Sequence, residues 1–322
     1  VDIDVAPARG QSPQGLHRKA NPMTAATISI QGTAPPSPAR EFWQSFCANR
    51  GALIALIVFS LLVLAAILAP WLSPHSPIEQ NRILLLAPPV WHDGGSWAYP
   101  LGTDELGRDI LSRLLHGGRV SLGIGLASVL LSLIPGVLLG LLAAFYDRHL
   151  GVVLMRIMDV MLALPGLLLA ICVITVLGPG LMNTVIAIAV GSLPSYTRLT
   201  RAAALGELPK DYVTASKVAG AGTFRLMFVT VLPNCLAPLI VKASLSFSAA
   251  ILEAAGLGFL GLGVQAPTPE WGAMLASSRD YIERAPWVVT LPGLAILVAV
   301  LSVNLMGDGL RDALDPKLKR VS

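Results

Sequence analysis

The chain has 322 residues, of which 54% are hydrophobic and 13% charged, a balance too apolar for a soluble domain that faces water on all sides. Its 23 Lys and Arg against 19 Asp and Glu leave a formal net charge of +4. The basic residues sit mostly in short segments between apolar runs, which excludes a nucleic-acid binder with one basic face and suits membrane topology instead.

Residues 1–40 carry Ala34-Pro35-Pro36-Ser37-Pro38 among scattered Gly, Gln and Ser, and are expected to form a disordered arm. The chain opens with Val1 and first meets methionine at Met23, so the natural start is expected at an alternative start codon or at a later residue such as Met23. The first apolar run begins only after Arg50 and has the length of a spanning helix, so no cleavable signal peptide is expected.

Six runs can each supply the ~20 residues that a membrane crossing needs. The first is Ala52 to Trp71, closed by Ser73-Pro74 and Pro77. A polar stretch with Trp91, Trp97 and Tyr99, suited to a membrane boundary, leads to the second, Val120 to Phe145. The third is Val152 to Leu177, stopping at the turn Gly178-Pro179-Gly180. Met182 to Thr200 is the fourth, with a kink expected at Pro194. After a basic segment, Arg201 to Leu232, come the fifth, Pro233 to Ile251, and the sixth, Trp287 to Met306. Between these last two, Glu253 to Pro286 is too polar to span and is expected to pack as a short re-entrant or capping element.

Alternate loops differ in basic residues. One side holds Arg40, Arg50, Arg148, Arg156, Arg198, Arg201, Lys210, Lys217, Arg225, Arg311, Lys317, Lys319 and Arg320; the other holds Arg82, Arg108, Arg113, Arg119, Arg279 and Arg284. The richer side is read as cytoplasmic, placing both termini inside. The four arginines before the second crossing dissent, although Asp104, Glu105 and Asp109 accompany them.

Few motifs carry chemistry. Gly256-Leu257-Gly258-Phe259-Leu260-Gly261 matches G-x-G-x-x-G but follows a membrane helix rather than a strand, so it reads as close helix packing. Thr214-Ala215-Ser216-Lys217 has the spacing of some acyl enzymes without any supporting motif, and a solvated helix face is the better reading. His17, His75, His92, His116 and His149 are dispersed, and Cys47, Cys172 and Cys235 lie far apart, so neither a metal site, a bound cofactor nor a disulfide framework is expected. A phosphate-binding G-x-x-x-x-G-K-[ST] loop is absent from the sequence. Lys242 lies inside an apolar span. It is a candidate for contact with a transport pathway, with structural accommodation or snorkelling as the alternative. A membrane-embedded enzyme would need convergent polar groups in the bundle, and Lys242 alone does not supply them.

The most informative segment is Asp211 to Gly222, small residues broken by Gly220 and followed by Leu232-Pro233-Asn234. Small side chains permit close approach and Gly220 permits a sharp turn, so this helix is a candidate docking knob for a partner's groove, with an ordinary surface helix as the alternative.

It is here that the chain resembles the permease subunits of ABC importers, whose cytoplasmic loop carries E-A-A-x-x-x-G and then apolar-Leu-Pro. Thr214-Ala215-Ser216 stands at the E-A-A place without the glutamate, Gly220 at the glycine and Leu232-Pro233 at the later element. Leu101-Gly102-Thr103-Asp104-Glu105-Leu106-Gly107-Arg108-Asp109, Pro267-Thr268-Pro269-Glu270-Trp271-Gly272 and Asn304 to Asp312 are similar to the peptide and nickel branch, and Tyr212 to Gly222 to the C-type permeases of dipeptide transporters.

The resemblance implies an all-α polytopic fold, MetI-like, with six transmembrane helices in the bacterial inner membrane. It divides the chain into the cytoplasmic arm (1–40), a first helix with a periplasmic segment (41–116), a five-helix permease core with a coupling loop (117–308) and a cytoplasmic tail (309–322). It implies a transport subunit rather than an enzyme. The implied partners are a related second permease, two ATP-binding subunits that hydrolyse ATP, a substrate-binding protein and membrane lipid. Tyr212, Thr214, Ala215, Lys217 and Gly220 are the residues it assigns to coupling. The implied substrates are dipeptides or short peptides, with nickel chelates, glutathione or longer oligopeptides as the alternative.

Overall fold

The computed structural model describes residues 38–314. Residues 1–37 of the expected disordered arm and 315–322 of the expected tail lie outside the described residues. Those described form helices α1 (Pro38–Ala48), α2 (Arg50–Ile67), α3 (Ala69–Leu72), α4 (Ile110–Phe145), α5 (Val152–Leu162), α6 (Gly166–Leu177), α7 (Leu181–Glu207), α8 (Asp211–Val218), α9 (Thr223–Arg225), α10 (Leu232–Phe259), α11 (Trp271–Ser278) and α12 (Trp287–Leu314). A π-turn, Leu226–Val231, joins α9 to α10.

Four helical stretches are long and apolar enough to cross a bilayer: α2, α4, the run Thr223–Phe259 and α12. At 36 residues α4 is about 54 Å long, well beyond the ~30 Å hydrocarbon core. It starts ten residues before the predicted second crossing, because Asp109 caps it by accepting from the Ser112 N–H at 2.9 Å.

The predicted third crossing is not one straight helix. It breaks into α5 and α6, bent by 91°. Pro165 lies at the break with an extended backbone (ψ 138°), lacks an N–H to donate and disfavours helical geometry at Leu164. The two halves together make a fifth candidate span.

The predicted fourth crossing lies within α7, which is 27 residues, about 40 Å, and runs through Pro194. It is less apolar than the others because protein, not lipid, surrounds much of it: Thr184, Thr197 and Thr200 are buried. Their hydroxyls donate to the carbonyls of Gly180, Leu193 and Tyr196, four residues back, at 2.8, 3.0 and 2.8 Å. Two glycines of α4 spaced by four let α7 approach closely. A Cβ on Gly136 would stand 2.5 Å from the Tyr196 Cβ, and one on Gly140 2.5 Å from the Thr200 Cβ.

Between α10 and α12, the short helix α11 caps one end of the bundle. Glu270 is its N-cap, accepting from the N–H groups of Gly272 (2.9 Å) and Ala273 (2.8 Å) and from the Ser121 hydroxyl of α4 (2.9 Å). Trp271 is buried against Gly117 and Gly118 and donates to the Leu114 carbonyl at 3.0 Å. The G-x-G-x-x-G run begins in the last turn of α10, where a Cβ on Gly258 would meet Glu270 Oε2 at 2.6 Å, so the glycine serves helix packing.

The same end explains two of the four dissenting arginines. Asp104 accepts from Arg108 Nε at 2.6 Å and pairs with Arg113 Nε at 3.3 Å, while Arg108 also reaches Glu105 at 2.9 Å. Arg108 and Arg113 are buried, so they serve the fold of this loop and not the charge contrast between membrane faces. Burial, with Asp104 beside it, pushes the Glu105 carboxyl above the usual range.

Candidate functional site

α7 and α10 enter the membrane-spanning bundle on either side of α8, and three attachments hold α8 against their ends. Glu207, the last residue of α7, takes Lys210 Nζ on one oxygen at 2.7 Å and the Tyr212 hydroxyl on the other at 2.6 Å. Partial burial and the Glu207 carboxylate push the Tyr212 phenol up to about 12, so it remains a donor at physiological pH. Val213 is fully buried in a cluster with Leu141 and Ala144 of α4, Tyr196 and Ala204 of α7, and Leu226, Met227 and Val231. Burying such a side chain stabilises the attachment by about 1.5–3 kcal/mol. On the far side, the Ser216 and Thr230 hydroxyls meet at 3.4 Å, tying α8 to the π-turn that leads into α10.

The rest of α8 faces outward. Thr214, Ala215, Lys217 and Gly220 are exposed, and Tyr212 is 39% exposed. Helix α8 ends where Gly220 adopts φ +82°. Its N–H donates to the Lys217 carbonyl (3.0 Å), and the Ala221 N–H reaches back to the Ser216 carbonyl (3.1 Å). This is a left-handed helix terminus that favours glycine. A Cβ there would meet nothing within 4 Å, so the glycine is required by the backbone and not by crowding within the chain.

The predicted coupling residues, Tyr212, Thr214, Ala215, Lys217 and Gly220, thus lie together on one outward-facing element. Lys242 does not join them. It lies in α10, half-buried, in a separate groove with Arg311 of α12. Three neighbours escaped the sequence reading: Glu207, which ties α7 to α8, and the exposed apolar Val218 (84%) and Phe224 (75%). Val213 and Val218 are five residues apart and so cannot share one face of a helix. That spacing was the available signal that one of them points outward. Val218 and the small Ala215, three residues apart on one face of α8 and both exposed, give the knob an apolar crest beside Lys217.

Known proteins align with this arrangement. The model of the binding-protein-dependent transport system inner membrane component matches residues 136–320, and that of the N-terminal TM domain of oligopeptide transport permease C matches residues 37–89. The di/tripeptide transport system permease protein DppC of Pseudomonas aeruginosa is 66% identical over 94% of this chain and 100% of its own length. The dipeptide transport system permease proteins DppC of Haemophilus influenzae and Escherichia coli K12 are 56% and 55% identical, covering 89% and 90% of this chain and 97% of each relative. Among solved structures, the MetNI methionine ABC transporter in an inward facing conformation aligns with a TM-score of 0.52 at 19% identity, over 63% of this chain and 96% of that one, which establishes the shared fold. The chain is a membrane permease subunit that belongs to the family of inner membrane components of binding-protein-dependent transport systems, in the branch of peptide transport permeases.

Proposed function

We propose that this chain is one half of the transmembrane pathway of an ATP-driven importer of di- and tripeptides, worked through α8 by separate ATPase subunits. The observation that carries the coupling role is the geometry of α8: an exposed knob with an apolar crest, anchored at once to the ends of α7 and α10. A push on such a knob moves two membrane helices together. The substrate class is supported by the 66% identity to a di/tripeptide permease. A related second permease completes the pathway, and a substrate-binding protein delivers the peptide.

The test is uptake of a labelled dipeptide by vesicles containing the chain with its sister permease, ATPases and binding protein. Uptake is expected only with ATP and the loaded binding protein. A nickel chelate or glutathione taken up at least tenfold better than any di- or tripeptide would overturn the substrate reading.

We read both termini, and α8, as cytoplasmic; the basic-residue contrast supports this and strengthens once the buried Arg108 and Arg113 are set aside. Reporter fusions at Pro179 and Pro267 should then read as periplasmic and one at Lys210 as cytoplasmic; the reverse pattern contradicts this orientation.

A further inference from the structure

On the membrane face that carries α1 and the end of α12, a groove of about 370 Å³ opens between α10 and α12. Its walls include Pro238, Val241, Leu245 and Leu314, and its polar members are Lys242 and Arg311. Neither cation makes a hydrogen bond or an ion pair with any described residue. Among the described residues, the carboxylates nearest Arg311 in sequence make no ion pair with it: Asp312 accepts from the Asn49 amide at 3.4 Å, and Asp308 is exposed. Glu253, eleven positions along α10, is within electrostatic range of Lys242 without forming a pair.

The depth of the groove follows from its neighbours. A Cβ on Gly307 would lie 3.4 Å from the Ser244 Cβ and 3.5 Å from Leu245. One on Gly309 would collide with the Ala52 Cβ and meet the Phe46 ring at 3.2 Å. Arg311 and Lys242, a few residues onward along these antiparallel helices, are therefore level with α1. That helix buries Phe46 and leaves Trp43 53% exposed, the disposition of a helix lying in the membrane interface. Two cations without a partner among the described residues thus stand level with that interfacial helix, while Leu245, one turn further into the span, is 38% exposed. Lys242 is half-buried and Arg311 exposed, so both can reach a lipid phosphate at that depth, and the apolar walls below them can take its chain.

We propose that this groove seats an anionic phospholipid, its phosphodiester between Lys242 and Arg311 and its acyl chain against Leu245. The lysine singled out as a pathway candidate would then hold lipid and not substrate. The inference rests only on the chain spanning a membrane, and its test involves no peptide, so it can fail independently of the transport reading.

Native mass spectrometry of the complete complex, titrated with phosphatidylglycerol and separately with phosphatidylethanolamine, reads the site directly. At about 1 kcal/mol for each basic residue near the surface, Lys242→Gln with Arg311→Gln should weaken binding of one phosphatidylglycerol by about ten- to thirtyfold. Phosphatidylethanolamine binding should not change, and Lys242→Arg should keep the wild-type affinity. The proposal is overturned if the double variant binds phosphatidylglycerol as wild type does, if both lipids weaken equally, or if millimolar inorganic phosphate displaces the lipid.

Discussion

Gly220→Val is expected to lower peptide uptake at least tenfold in reconstituted vesicles while leaving the chain in the membrane and paired with its sister permease. At φ +82° a non-glycine residue costs roughly 1–2 kcal/mol, and a β-branched one more. The cost falls on the turn that ends α8 and nowhere in the spans. Because a Cβ at this position meets nothing within 4 Å, the valine side chain projects outward onto the face proposed to meet the ATPases. Strain and obstruction therefore act together. Gly220→Ala, which carries the strain with little of the bulk, should fall between. ATP hydrolysis should either be lost with detachment of the ATPases or continue without responding to the loaded binding protein. Normal uptake and normal stimulation at full protein level would remove this turn from the coupling element.

Val213→Asp should have an effect of the same size by the opposite route, from beneath the knob. Its side chain is fully buried among Leu141, Tyr196, Ala204 and Met227, and an unpaired carboxylate there costs several kcal/mol. α8 is then expected to leave the bundle surface, keeping its outer face but losing its grip on α7 and α10. Uptake should drop at least tenfold, and a protease should cut near Lys210 and Lys217 faster than in wild type. Val213→Ile, which keeps an apolar side chain, should retain most activity. Loss of uptake without faster cleavage would mean that Val213 is not the anchor.

Hydropathy made most of the bundle legible. α2 and α12 begin within two residues of their predicted starts, and α10 begins at Leu232, one residue before its own. The bend at Pro165 escaped because the apolar run continues unbroken across it, although Pro165-Gly166 is itself a turn signal. The extension of α4 toward Ile110 escaped for a different reason. Arg113 and Arg119 read as the water-facing flank of a span, whereas Arg113 is buried in an ion pair with Asp104. At the candidate site, small residues and a glycine pointed to the right segment. Their attachment did not, since Glu207 gains its meaning only when the chain turns to bring Lys210 and Tyr212 onto its two oxygens. A linear reading can find a knob, but its mechanical links are tertiary.

The central claim is that α8 is the part of this chain that the ATPases grip. A cysteine at exposed Ala215, with Cys47, Cys172 and Cys235 replaced, tests it by short-spacer crosslinking in the assembled complex. The account predicts a crosslink from residue 215 to an ATPase subunit whose yield changes when the complex is trapped with nucleotide. A cysteine at exposed Val176, at the opposite end of the bundle, should give none. Absence of any crosslink from residue 215 in every nucleotide state, with the complex intact and active, would contradict it.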